Sequence, residues 1–187
     1  MKFQIKIEGI TPYMQHRMDD TKLAAWEKSR GVIIERDGLN DEPSKIAAFH
    51  SYIAPDGSYY IPSEHFKQSF VKGGGFVKSK IGNAKRSMKN IVAAMFFITP
   101  EKIPFRFFDE VDTRSAVNKN NKARIIVHRP KWISWNCDFT MFVDNESITI
   151  ETVKDIIEAS GKYVGVGSYR PEHTGEYGRF TAEVIKI

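Results

Sequence analysis

The chain has 187 residues, a formal net charge of +5, 41% hydrophobic and 12% aromatic residues, and one cysteine. That is enough apolar material for one folded domain, and it excludes a disordered or low-complexity chain. Lone Cys137, read as a plain strand thiol, excludes an internal disulfide and a cysteine-based metal cluster, while the longest apolar run, Ile91 to Ile98, falls short of the about 20 residues needed to span a bilayer.

Lys2 to Gly9 alternates, with Phe3, Ile5 and Ile7 on one side and Lys2, Gln4, Lys6 and Glu8 on the other, which predicts a half-buried β-strand and is not the pattern of a signal peptide. A soluble, cytoplasmic protein is expected. Residues 11–58 read as a variable insertion, with a short helix over Leu23 to Trp26 and turns at Asp37-Gly38 and Pro55-Asp56-Gly57. Tyr59 to Ile61 predicts a short strand. Pro62-Ser63 then opens a helix, with Ser63 as its N-cap, Phe66, Phe70 and Val71 on its apolar side, and Gly73-Gly74-Gly75 as its stop.

Residues 73–90 form a basic, glycine-containing segment of undecided structure. Ile91 to Ile98 is a buried strand or helix segment, and the run alone does not choose. Ile103 to Phe108, Ala123 to Val127 and Asp138 to Val143 predict strands. Thr149 caps the clearest helix, whose apolar face is Ile150, Val153, Ile156 and Ile157 and whose C-terminal stop is Gly161. Tyr163 to Gly167 and Arg179 to Ile187 predict the closing strands. Two helices interleaved with mostly antiparallel strands make an α+β layout, and an RRM/ferredoxin-like β-α-β-β-α-β unit over a single domain, 1–187, is expected.

Charge is segregated along the chain. Between Phe66 and Pro100 there are seven Lys or Arg and no acid, and between Thr113 and Cys137 six more, again with no acid. Such runs predict a basic face suited to a polyanion. One set is Lys72, Lys78, Lys80, Lys85, Arg86 and Lys89, compact charges able to track a phosphate backbone without reading sequence. Another is Arg114, Lys119, Lys122, Arg124 and Arg129, followed by Trp132 and Trp135, which read as core or interface rather than as base-stacking platforms.

The densest signal is a glycine-rich loop over 165–180. Gly165, Gly167, Gly175 and Gly178 permit tight turns, while Tyr169, Arg170, His173 and Arg179 offer stacking faces and phosphate forks. It precedes a strand instead of opening a helix, so it is neither a dinucleotide-binding fingerprint nor a P-loop. The five histidines show no metal-ligand spacing. No cofactor is expected. His16 with Asp19 and Asp20 is the single acid–base candidate.

Three of these segments carry a resemblance in order, the first being the opening strand that enters a variable loop. Tyr60-Ile61-Pro62-Ser63-Glu64-His65-Phe66-Lys67-Gln68-Ser69-Phe70 is similar to the "YIPGSSLKGALR"-type turn into a first helix, with Ser63-Glu64 where that motif has glycine. With the glycine-rich, arginine-bearing loop before the last strand, it resembles the RAMP superfamily, the RRM-like proteins of CRISPR effectors. The chain is also similar to uncharacterised phage and prophage proteins ending in "GxGxxRPExxGxxGRF". The resemblance implies binding of single-stranded nucleic acid, RNA before DNA, with copies side by side along the strand or within a RAMP-containing complex. It also implies two alternatives: a metal-independent endoribonuclease using His16, Asp19 or Asp20, and an interaction protein that docks onto a RAMP-containing complex.

Overall fold

The computed structural model describes residues 1–17, 43–81, 84–117 and 124–187. Its elements in chain order are β1 (Lys2–Gly9), β2 (Tyr13–Met14), α1 (Pro43–Phe49), β3 (Tyr59–Pro62), α2 (Ser63–Gly73), β4 (Lys78–Ile81) and β5 (Ala84–Ser87). There follow α3 (Lys89–Met95), β6 (Phe96–Thr99), β7 (Lys102–Phe105), β8 (Glu110–Val117), β9 (Arg124–Trp132), β10 (Asn136–Val143), α4 (Ile150–Ala159) and β11 (Phe180–Lys186).

The alternation in β1 determines its place. Phe3, Ile5 and Ile7 are buried, and Ile5 pairs antiparallel with Phe139 of β10 on one side and Val184 of β11 on the other. With β6 beside β10, the sheet order is β11-β1-β10-β6. Taken as β1-α2-β6-β10-α4-β11, the chain makes a β-α-β-β-α-β unit with its first and third strands central, the ferredoxin-like arrangement. Both helices turn apolar faces to one side of this sheet. Phe66 lies 4.9 Å from Phe139 and 5.9 Å from Phe180, ring centre to ring centre, while Val153, Ile156 and Ile157 of α4 are buried in the same core.

Three smaller sheets are added to this unit: β2-β9-β8, β3-β7 and the β4-β5 hairpin. The first matters most here, because its register sets Asp112 opposite Arg129 and Tyr13 opposite Trp132. Trp132 and Trp135 are buried as core, each indole Nε1 donating to a backbone carbonyl, of Arg106 and Thr11 respectively.

Several boundaries differ from expectation. Pro62, not Ser63, occupies the cap position of α2; Ser63 is its first helical residue, and its N–H donates to the Glu101 carbonyl at 2.8 Å. The undecided 91–98 run divides, ending α3 at Met95 and beginning β6 at Phe96. Gly161 does not end α4: a π-helical turn continues over Ser160–Val164, and the chain reverses at Gly165, with φ 71°. Tyr163 to Gly167 is therefore not a strand, because a wider helical turn takes up its first residues. The insertion contains β2 and α1, while Leu23 to Trp26 and Asp37-Gly38 lie outside the described residues. Thr149 does cap α4, its Oγ1 accepting the Thr152 N–H at 3.2 Å. Among the described residues no helix is long and apolar enough to cross a membrane.

Candidate functional site

The glycine-rich loop is sewn to β2. Ser168 N–H donates to the Met14 carbonyl at 2.9 Å, Gly178 N–H to the Pro12 carbonyl at 2.8 Å, and Val166 N–H to the Gly178 carbonyl at 2.9 Å. Two glycines are required by close approach. A Cβ on Gly167 would stand 2.3 Å from the Met14 carbonyl oxygen, and one on Gly178 1.8 Å from that of Val166, both at positive φ. Tyr169 takes a left-handed φ of 53° without being glycine. Its carbonyl accepts the Tyr177 N–H at 3.0 Å, which closes the loop on itself.

Between this loop and α2 lies a pocket of about 220 Å³. One wall is a single helical face, His65, Gln68, Ser69 and Lys72, at spacing i, i+3, i+4, i+7. The facing wall is the 165–168 backbone with Arg170, and His16 also lines the pocket. Glu172 ties the walls together: Lys72 Nζ stands 2.5 Å from one carboxylate oxygen, and Arg170 donates from Nε to the other at 3.0 Å. Arg170 Nη1 also donates to the Gly167 carbonyl at 2.9 Å. Partial burial alone would raise the Glu172 carboxyl, but the hydrogen bonds from Lys72 and Arg170 outweigh it and hold the group below the usual range. His65 is pushed down to about 4, first by burial and then by the Arg170 charge, so its imidazole is neutral at pH 7. Its Nδ1 lies 3.4 Å from the Tyr13 hydroxyl.

On the other side of Tyr169 stands the β8–β9 ribbon. The guanidinium carbons of Arg129 and Arg114 lie 4.9 and 5.1 Å from the centre of the Tyr169 ring, and Arg114 is also 5.1 Å from that of Tyr177. Arg114 is further held by Asp112, to which its Nε donates at 2.9 Å. Arg129 is 7% exposed, and its Nε and Nη1 have no hydrogen-bond partner among the described residues. The two tyrosines therefore hold arginines against their rings.

The fold thus brings Lys72, Arg114, Arg129, Tyr169, Arg170 and His16 around one loop. Others lie elsewhere. Lys78, Lys80, Lys85 and Arg86 sit on the β4–β5 hairpin, where Lys80 is opposite Lys85 and Ser79 Oγ is 3.4 Å from Thr152 Oγ1 in the first turn of α4. The loop starts only after the π-helical turn that follows that helix, whose run from Thr152 to Ala159 by itself rises about 10 Å at 1.5 Å per residue. Lys89 begins α3 and Arg124 begins β9, both exposed. His173 has a side chain 61% exposed, 3.8 Å from Glu172. Arg179 is exposed, its backbone N–H donating to Thr11 Oγ1. His16 stacks on His50, ring centres 4.5 Å apart. Asp19, Asp20, Lys119 and Lys122 lie outside the described residues. Sequence reading overlooked His65, Gln68 and Ser69 as site residues, although a polar stripe at helical spacing beside Phe66 and Phe70 was their signal.

No family model and no curated protein matches the sequence. Solved structures do. A chain of the Type III-B Cmr-beta complex bound to cognate target RNA is similar over 99% of this chain, with 13% identity and a TM-score of 0.50. This chain covers 61% of that one. A chain of a Type IV-B CRISPR complex matches over 98% of this chain and 90% of its own, with 11% identity and a TM-score of 0.46. The likeness is one of fold.

Proposed function

We propose that the protein binds single-stranded nucleic acid, RNA before DNA, with little regard to sequence along most of the strand. Convergence carries this reading. Arg114 and Arg129 from the β8–β9 ribbon lie over the Tyr169 ring, Arg170 bonds the Gly167 carbonyl of the same loop, and Lys72 from α2 meets its Glu172. Buried Arg129, with two donor nitrogens unpartnered, is the group in this cluster most in need of an anion. The similar Cmr-beta chain belongs to a complex described as bound to cognate target RNA, which fits the same reading. On this reading the chain acts as one RAMP-like domain in the cytoplasm, either with copies side by side along a strand or inside a RAMP-type assembly.

The test is direct. Protein purified without nuclease treatment is examined for its 260/280 nm absorbance ratio, and any co-purified polymer is digested separately with RNase and DNase. Fluorescence anisotropy then compares labelled 20-mers of single-stranded RNA, single-stranded DNA and duplex RNA. Tighter binding of single-stranded RNA, with a log–log salt slope of roughly −0.7 per phosphate neutralised, supports the proposal. Protein that binds none of the three at low salt overturns it.

A further inference from the structure

The four-stranded sheet ends in two unlike edges. β6, on one side, is four residues long and stops at Pro100. β11, on the other, is seven residues long, contains no proline and keeps one unbroken register with β1. The direction of its backbone groups follows from two bonds at its ends. The Arg179 carbonyl accepts the Ile10 N–H at 2.8 Å, and the Ile187 N–H donates to the Lys2 carbonyl at 3.0 Å. Bonded residues alternate in an antiparallel pair, so Thr181, Glu183 and Ile185 face β1. Ala182, Val184 and Lys186 turn their N–H and C=O groups outward, and among the described residues none of these groups has a hydrogen-bond partner.

Natural sheets shorten, charge, bulge or cover their edges, because an open edge accepts a strand from another chain. β11 is guarded little. Its Glu183 is drawn to Lys6 of the neighbouring strand at 3.0 Å, and Lys186 stands at its very end. The edge also opens into a groove of about 820 Å³, with Arg179 to Val184 on one side and Lys154, Glu158 and Lys162 on the other. Exposed Ile10 and partly buried Ala182 give this groove apolar contact surface. Its charge is one-sided: Lys154, Lys162 and Arg179 form no salt bridge among the described residues, and with Glu183 engaged, Glu158 is the remaining acid of the lining.

These features select an occupant. The edge presents donors and acceptors in alternation, repeating about every 7 Å, which a peptide backbone answers group for group. A nucleic-acid backbone brings phosphate acceptors without the matching row of donors. A second copy of this chain would set the same three cations against these, a like-charge contact. Lys154 and Lys162 lie about two helical turns apart, roughly 11 Å. Carboxylates four residues apart on an extended chain are separated by roughly 13 Å, within the reach of the two lysine side chains. We propose that β11 takes up an extended, acidic segment of a partner protein as a fifth strand of the sheet. Its backbone pairs with Ala182, Val184 and Lys186, and its carboxylates meet Lys154 and Lys162. This docking edge is independent of the nucleic-acid reading and goes beyond it.

The probe is a fluorescein-labelled peptide, TETVTET, with TKTVTKT as its control, measured by anisotropy and by amide hydrogen exchange followed by NMR. The acidic peptide is expected to bind with a Kd below about 1 mM and to slow exchange at the Ala182, Val184 and Lys186 amides by at least about tenfold. Ala182→Pro removes an outward N–H and leaves the bonds to β1 in place, a position where an edge strand tolerates proline. It should weaken binding at least about tenfold, as should Lys154→Glu with Lys162→Glu, which leaves the backbone untouched and decides the matter if the proline variant does not fold. No binding at about 1 mM, equal binding of the lysine peptide, or binding without protection of the three amides overturns the proposal. Amides already protected in the free protein that lose protection on dilution would give the edge to a second copy and overturn it too. Protection of the same amides by a single-stranded RNA 20-mer, in place of the peptide, would assign the groove to nucleic acid with the same consequence.

Discussion

Glu172 stands 2.5 Å from Lys72 Nζ, and this contact fastens the last turn of α2 to the terminal loop. The same carboxylate holds Arg170. Since the folded-state pKa of Glu172 is depressed, its stabilising contribution is complete above the ordinary glutamate value of about 4.3 and fades as pH falls through the lower folded value. Glu172→Gln is expected to lower the melting temperature at pH 7 and to flatten its fall in acid. A pH series of thermal melts on both proteins checks this; coincident curves would show that Glu172 does not bear on stability.

Arg170 and Arg179 should separate. Arg170→Ala removes bonds to Glu172 and to the Gly167 carbonyl, so it should lower the melting temperature as well as RNA affinity. Exposed Arg179 should affect affinity alone, by up to about tenfold. Melts and anisotropy on each single variant decide the matter.

Arg129→Met replaces a buried cation, stacked on Tyr169 but with Nε and Nη1 lacking hydrogen-bond partners among the described residues, by an apolar chain of similar length. Stability should be unchanged or higher, as for other buried charges exchanged for well-packed apolar groups, while RNA affinity falls at least about tenfold. Unaltered affinity would remove Arg129 from the interface.

His65 has a folded pKa of about 4 against about 6.5 for a free imidazole. The unfolded chain therefore binds the extra proton first, and stability should decline as pH falls from about 6.5 to about 4, then level off with respect to this group. His65→Gln should lose that component. An NMR titration should show the His65 ring resonances stationary between pH 8 and 5; movement with a midpoint near 6.5 would contradict the burial of its charge.

Charge removal at Lys78 and Lys80 tests whether the strand runs on to the hairpin. If it does, the salt slope with a 20-mer should shrink by about 1.4, twice the single-strand increment of roughly 0.7. An unchanged slope would put β4–β5 off the path.

Local physics was legible without coordinates. The alternation of Phe3, Ile5 and Ile7 made β1 a half-buried strand, and Thr149 followed by Ile150, Val153, Ile156 and Ile157 made a capped amphipathic helix, because each signal lies within a few residues of its effect. The interleaving of strands and helices pointed to the α+β unit for the same reason. Gly161 shows where such reasoning ends. It looked like a helix stop, yet a Cβ there would stand 2.0 Å from the Phe180 carbonyl oxygen, so it is required by the passage of β11. The site depended on contacts of that long-range kind. Glu172 at Lys72, Tyr169 beside Arg114 and Arg129, and the unpartnered hydroxyl of Ser69 arise only when distant segments pack together. No spacing along the chain records which carboxylate a cation will meet, or which polar atom the core will leave unsatisfied, since both are decided by what the remaining elements bring into contact.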